Sequence, residues 1–320
     1  MLRRDMSVEQ LSQRIHSELA KVISGQEQVI EQIIAATLAD GHVLLEGVPG
    51  LAKTLMVRSL GHVLGMKYGR VQFTPDMMPS DVSGTMVFDM GKNEFQFRPG
   101  PIFVGLLLAD EINRTPPKTQ SALLEAMEER KVTIDGVAHD LPAPFLVFAT
   151  QNPLEYEGTY PLPEAQQDRF LMKVMLRYPS AEQEVQVLRL HHSGFQPKNL
   201  DEQGLQTVTS VSELQSLQAQ VRKTTVEDKV FNYIYEIVKT TRDNRDIMVG
   251  ASPRAGIGLL NVSKAVAQIR GRDFVIPDDV KEMAPSVLRH RIQLRPESEI
   301  EGQTPDDVLK RILDSIAVPR

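Results

Sequence analysis

Eight residues, Gly47-Val48-Pro49-Gly50-Leu51-Ala52-Lys53-Thr54, constrain this chain more than any other stretch. They follow Val43-Leu44-Leu45, a short continuous apolar run suited to a strand buried on both faces, and precede Leu55 to Leu60, whose apolar spacing is helical. Strand, glycine-bearing turn and helix is the context of a phosphate-binding loop. Backbone N–H groups of the turn and of the helix N-terminus then converge on phosphate oxygens. Gly47 and Gly50 permit conformations that a Cβ obstructs. Lys53 is expected on the β- and γ-phosphates and the Thr54 hydroxyl on Mg²⁺, with Val48, Pro49, Leu51, Ala52 and Leu55 completing the cradle. Ala52 stands where the general pattern has glycine, a departure of one methyl. The alternative is an accidental Gly/Pro turn, and the downstream residues decide between the two.

The first of these is Leu106-Leu107-Leu108-Ala109, a fully apolar strand that ends in Asp110-Glu111. A buried strand seldom ends in two acids without a cation or solvent to meet them. If this strand lies parallel and beside the first, Asp110 orients the Mg²⁺ shell and Glu111 polarises an attacking water. A further apolar strand, Phe145 to Ala149, ends in Thr150-Gln151-Asn152-Pro153, which puts the Asn152 amide level with those carboxylates. A simple turn before proline is the other reading of Asn152. Arg70 to Phe73 and Leu171 to Leu176 supply two more strands, and 74–81 is irregular.

Two helices precede the first strand, with Leu11, Ile15, Leu19 and Val22 on one and Val29, Ile30, Ile33, Ile34 and Leu38 on the next. Gly25 and Gln26 between them are candidates for contact with a nucleotide base, or a plain interhelical turn. Alternation around Met90-Gly91-Lys92-Asn93 predicts a β-hairpin over 85–98, too polar on one face for a central sheet position, and Asp135-Gly136 centres a second over 131–142. Residues 118–129 form a strong helix, and Pro163 begins a short one that ends at Asp168-Arg169-Phe170.

With 320 residues, about two domains are expected. Residues 1–193 read as a nucleotide-binding α/β core, 194–209 as a linker and 210–320 as a helical domain without an apolar strand. In that domain Ser252-Pro253-Arg254 reads as N-cap, first-position proline and first-turn arginine. A cation is unfavourable at a helix N-terminus, so Arg254 suggests an anion to face, or a solvated side chain. The absence of cysteine excludes disulfides, thiolate metal sites and cysteine nucleophiles. A net charge of −6 without a basic run argues against a large nucleic-acid footprint. The adjacent His191 and His192 read as an exposed helix end, with a metal role as the other reading. No signal-peptide stretch or membrane-spanning segment is evident, and a cytoplasmic enzyme is the expectation.

In this order GVPGLAKT, LLLADEINR with PPKTQSALLEAMEER, ATQNP, LPEAQQDRF and GASPRA resemble the AAA+ ATPases, and within them the MoxR family, from about Ser24 to about Arg291. The resemblance implies an αβα P-loop core with strand order 5-1-4-3-2, a C-terminal α-helical lid, and a ring, commonly a hexamer, with ATP between subunits. Lys53 and Thr54 match Walker A, Asp110 and Glu111 Walker B, and Asn152 sensor 1. Arg169 matches the arginine finger that reaches a neighbour's γ-phosphate, with an intrasubunit ion pair to Asp168 or a nearby glutamate as the other reading, and Arg254 matches the sensor 2 of the lid. Members carry alanine where Ala52 stands, and in the wider clade both hairpins can face a ring's channel. The expected function is chaperone-like remodelling or maturation of protein complexes, cofactor or metal insertion included, with a protein client and a partner bearing a von Willebrand factor A domain. A nucleic-acid or chelatase-like ring motor and a nucleotide-gated scaffold are the alternatives. Lys92 at one hairpin tip and Asp135 at the other lend the motor little support, and intact Lys53, Asp110, Glu111, Asn152 and Arg169 argue against the scaffold.

Overall fold

The computed structural model describes residues 6–153, 158–197, 200 and 203–319. The loop expected at 153–163 and the linker at 194–209 therefore lie partly outside the described residues. Helices α1 (Val8–Leu19) and α2 (Glu27–Leu38) lead into strand β1 (Val43–Glu46) and helix α3 (Lys53–Val63). Then come β2 (Tyr68–Gln72), a five-residue helix α4 (Pro79–Ser83), and the hairpin β3 (Gly84–Asp89) and β4 (Glu94–Pro99). Strand β5 (Leu106–Asp110) precedes α5 (Pro117–Glu129), the hairpin β6 (Lys131–Ile134) and β7 (Val137–Asp140), β8 (Leu146–Gln151), the short α6 (Glu164–Gln167) and β9 (Met172–Met175). The α4 turn corrects the expectation of irregular chain over 74–81: Pro79 occupies the first turn, where it lacks no needed N–H, and Asp81 accepts from Met78 N at 2.8 Å.

Five strands form one parallel sheet in the order β2-β5-β8-β1-β9, which is the expected 5-1-4-3-2 read from its other edge. Period-two alternation explains why these strands are apolar throughout. Val43, Leu45, Leu106 and Leu108 enter one apolar cluster, and Leu44, Leu107 and Ala109 enter the other, with Leu123, Leu124 and Met127 of α5. Parallel pairing brings the carboxyl ends of β1, β5 and β8 to one edge. Three of the functional loops leave from that edge.

After β9 run α7 (Ala181–His192), α8 (Val211–Arg222), α9 (Asp228–Asp243), β10 (Ile247–Val249), α10 (Pro253–Ile269), α11 (Pro277–Leu288), β11 (Gln293–Leu294), α12 (Pro296–Ile300) and α13 (Pro305–Ser315). The antiparallel pair β10-β11 corrects the expectation that no apolar strand follows residue 180. Three and two residues give no readable periodicity, so only tertiary pairing defines this ribbon. One apolar cluster runs without a break from α1, α2 and β1 into α8, α9, α10, α11 and α13. Phe195 and Leu205, in the stretch read as linker, are buried in it, and Val208 N donates to Val63 O at 2.8 Å.

Candidate active site

The turn between β1 and α3 carries its backbone as a phosphate loop requires. Gly50 has φ +87° with nothing within 4 Å of an added Cβ, so glycine is needed there for conformation rather than for space. At Gly47 the reason is space, since a Cβ would lie 3.0 Å from the Leu176 carbonyl oxygen. Ala52 is left-handed at φ +57°, which accounts for glycine in the general pattern and puts a modest strain on the alanine. The first turn of α3 holds no acidic residue, so its positive end is left for an anion. The Lys53 ammonium lies within the loop, donating to the Gly47 carbonyl and, at 3.5 Å, to that of Val48.

A cleft of about 620 Å³ opens at this edge, and Pro49 to Leu55, Asp110, Glu111 and Asn152 all line it. Gly47 and Val48 form the start of the same turn. The Thr54 hydroxyl is 3.4 Å from Asp110 Oδ2, so two oxygen donors of the kind Mg²⁺ prefers stand together beside the phosphate cradle. Among the described residues there is no cluster of three or more His, Asp or Glu side chains that could hold a metal.

Residues not read from the sequence complete the site. Thr150 Oγ1 donates to Asp110 Oδ1 at 2.6 Å and accepts from the Glu111 N–H at 2.8 Å, tying both acids to the end of β8. Glu111 sits left-handed at φ +55°, a strained state of the kind found at functional positions. Arg70 of β2 donates to Asp110 Oδ2 at 2.8 Å through Nη2, and Gln72 donates to Glu111 Oε2 at 2.7 Å. Arg114 Nε is 3.0 Å from the same Glu111 oxygen. Arg58, His191 and Pro197 also line the cleft, so the helix end at His191 belongs to the site's rim. Arg70 and Gln72 could have been found from sequence as polar residues two apart on a strand, facing one side at its carboxyl end.

The remaining expected residues lie elsewhere. Gly25 and Gln26 line a second cleft, of about 640 Å³, with Arg177, Tyr178, α11 and α13, and the Gln26 amide donates to Arg177 O at 2.9 Å. Arg169 and Arg254 meet on Glu128 near the end of α5: Arg169 Nε is 2.9 Å from Oε2, and Arg254 Nη1 is 3.3 Å from Oε1. The two guanidinium groups hold the Glu128 carboxyl below its ordinary range, the Arg169 hydrogen bond foremost. Arg254 thus faces an anion, although Ser252 makes no side-chain cap, contrary to the sequence reading. This cluster lies at the amino-terminal edge of the sheet, because Leu171 N already bonds His42 O just ahead of β1. The four residues of β9 alone span about 13 Å. Neither arginine lines its own chain's phosphate cleft.

Comparison with known proteins places both parts of the chain in known families. The family model for the ATPase family associated with various cellular activities matches residues 42–172, and that of the AAA lid domain matches 239–312. Bacillus subtilis YeaC is 47% identical over 93% of this chain and 92% of its own length. Chaperone MoxR1 of Mycobacterium tuberculosis is 43% identical over 95% of this chain and 81% of its own. A crystal structure of a candidate ATPase from Cytophaga hutchinsonii superposes with a TM-score of 0.89 at 41% identity, covering 98% of this chain and 96% of that one.

Proposed function

The chain belongs to the MoxR family of AAA+ ATPases, and from that premise we propose that it hydrolyses ATP at sites shared between subunits of a ring and uses the cycle for chaperone-like work on protein complexes. In this reading residues 1–193 are the core, 194–209 the connection and 210–320 the lid, as the sequence suggests. One observation carries the shared-site reading. Lys53, Thr54, Asp110, Glu111 and Asn152 converge on one cleft, whereas Arg169 and Arg254 lie together at the opposite edge of the same sheet. A guanidinium that cannot reach its own subunit's phosphate can serve that of the next.

The division of labour follows from the chemistry of each group. N–H groups of the turn and of the α3 N-terminus, with Lys53, bind the phosphates. Thr54 and Asp110 would hold Mg²⁺, which when bound neutralises charge on the β- and γ-phosphates. Glu111 polarises the attacking water and Asn152 orients it, while Gln72 and Arg114 fix the Glu111 carboxylate and Thr150 holds its backbone N–H. Asp110 is held by Arg70 and Thr150, which keeps it aimed at the ion. Arg169, and with it Arg254, leaves Glu128 to meet charge that develops on the neighbour's γ-phosphate. Gly25 and Gln26, at their separate cleft, are assigned to the base end of the nucleotide.

The hairpins favour polypeptide over nucleic acid as the client. Met90, Phe95 and Val137 are 90%, 67% and 57% exposed, so apolar groups stand out on them beside the exposed Lys92, Arg98 and Lys131. The experiment is complementation. Subunits carrying Lys53→Ala and subunits carrying Arg169→Ala are each expected to be inactive alone and to recover hydrolysis when mixed. Failure of the mixture to recover, with both variants assembled, refutes the shared site.

A further inference from the structure

The turn that carries Arg169 is gripped from the lid. Immediately after α11, His290 and Arg291 reach the segment between α6 and β9, and Arg289 reaches β9 itself. The Arg291 side chain is 4% exposed and forms five hydrogen bonds. Its Nε donates to Asp168 Oδ1 at 2.5 Å; Nη2 donates to the Asp168 carbonyl at 3.2 Å and the Phe170 carbonyl at 2.7 Å. Its Nη1 donates to Leu171 O at 3.0 Å and to Val287 O of its own helix at 2.6 Å. His290 Nε2 lies 3.0 Å from the same Phe170 carbonyl, and Arg289 donates to Lys173 O at 3.1 Å.

A guanidinium stripped of water is tolerated only where acceptors replace its hydration. Here four of the five acceptors flank a single residue, position 169, on both sides. Arg169 itself takes no part in the grip, and its side chain points away to Glu128. Packing alone needs no planar fork divided between the two flanks of one turn. A fork fixes direction as well as distance, which a point charge does not.

We propose that Arg291 is a positioning residue for Arg169: by locking Asp168, Phe170 and Leu171 it sets the direction in which the neighbouring subunit's nucleotide is met, and it ties that direction to the placement of the lid. This rests on the reading of Arg169 as acting in trans. The consequence is spatial, because a defect at position 291 falls on the neighbour's site and not on the subunit's own.

The test extends the complementation mixture. Donor subunits carry Lys53→Ala and keep Arg169; acceptor subunits carry Arg169→Ala and keep the phosphate loop. Arg291→Gln is placed in one type at a time, with co-assembly checked by light scattering. In the donor it is expected to lower kcat of the mixture by about 10-fold or more, with KM for ATP within about twofold, since misplacing a group by about 1 Å is enough for such a loss. In the acceptor, which has no Arg169 to aim, the loss is expected to stay under about twofold. Equal losses from the two placements, or a change confined to KM, overturn the proposal while leaving the trans reading intact. A mixture of otherwise unaltered donor and acceptor that shows no hydrolysis overturns the trans reading and the proposal with it. Should the Arg291→Gln donor fail to co-assemble, Asp168→Asn, which neutralises the anchor while keeping the buried fork, is compared in the same two placements and judged by the same asymmetry.

Discussion

Replacing Thr150 by valine removes a hydroxyl from the point where the two acidic residues are tied to the sheet. Its Oγ1 spans Asp110 at 2.6 Å and the Glu111 N–H at 2.8 Å, in a residue only 1% exposed. Valine has nearly the same shape, so packing survives and the difference is the two hydrogen bonds. A bond to an ionised group contributes about 1.5–3 kcal/mol, and a buried N–H left without a partner costs about 1–3 kcal/mol. Relaxation toward the open cleft recovers part of both, so a loss of about 2–3 kcal/mol in folding stability is expected. Glu111 is held in a left-handed conformation by that same N–H bond. Its carboxylate therefore loses its aim, and a shift of about 1 Å lowers the rate by on the order of 10²-fold. Urea unfolding at unchanged m-value measures the first effect, and kcat and KM for ATP measure the second. Thr150→Ser keeps the hydroxyl and is expected to keep most of the activity. A valine variant that unfolds at the parent's midpoint, or a serine variant that loses as much activity as valine, refutes the reasoning.

Three further outcomes are expected. The Glu128 carboxyl, lowered chiefly by its hydrogen bond from Arg169, should titrate closer to the ordinary carboxylate range in Arg169→Ala, as followed by NMR; the pair is partly exposed, so stability should change by less than about 1 kcal/mol. His42 is fully buried and neutral, its pKa lowered from 6.5 to about 3 mainly by burial, and His290 is lowered in the same direction. The unfolded chain thus binds protons below pH 6.5 that the folded chain does not, so the stabilising difference is complete above pH 6.5 and is lost on acidification toward the folded value. Denaturant melts from pH 7 to 5 should show it, with a slope approaching about 1.4 kcal/mol per pH unit for each such histidine. Asp279 has a fully buried side chain, paired with Arg272 at 2.6 Å and Arg270 at 3.4 Å and accepting from Ile276 N at 3.0 Å. Asp279→Ala leaves Arg272 and Arg270 without that partner and should destabilise the protein by about 3–5 kcal/mol in the same melts.

The αβα core was legible because its signals are local. An apolar run that leads into GVPGLAKT, and another that ends in Asp110-Glu111, identify two parallel strands and the edge at which they act. Thr150 was not legible as a site residue, and Arg70 and Gln72 showed only as a polar pair on one side of a strand end, because each meets its acid from a neighbouring strand about forty positions away in sequence. A threonine in a strand reads first as β-branched packing. The β10-β11 ribbon and α12 were missed because two to five residues carry no periodicity. Nor does composition reveal that Phe195 and Leu205 dock a connecting segment onto α3. Arg169 and Arg254 were singled out by motif, but their meeting on Glu128 depends on the return of α5 to the far edge of the sheet.

The central claim is that the catalytic site is complete only between subunits. It is tested most directly by steady-state ATP hydrolysis against protein concentration, for the parent and for Arg169→Ala, with mass measured by light scattering in the same buffers. Specific activity should rise with assembly, and the arginine variant should bind ATP and assemble without hydrolysing it. Activity independent of both concentration and Arg169 would contradict it.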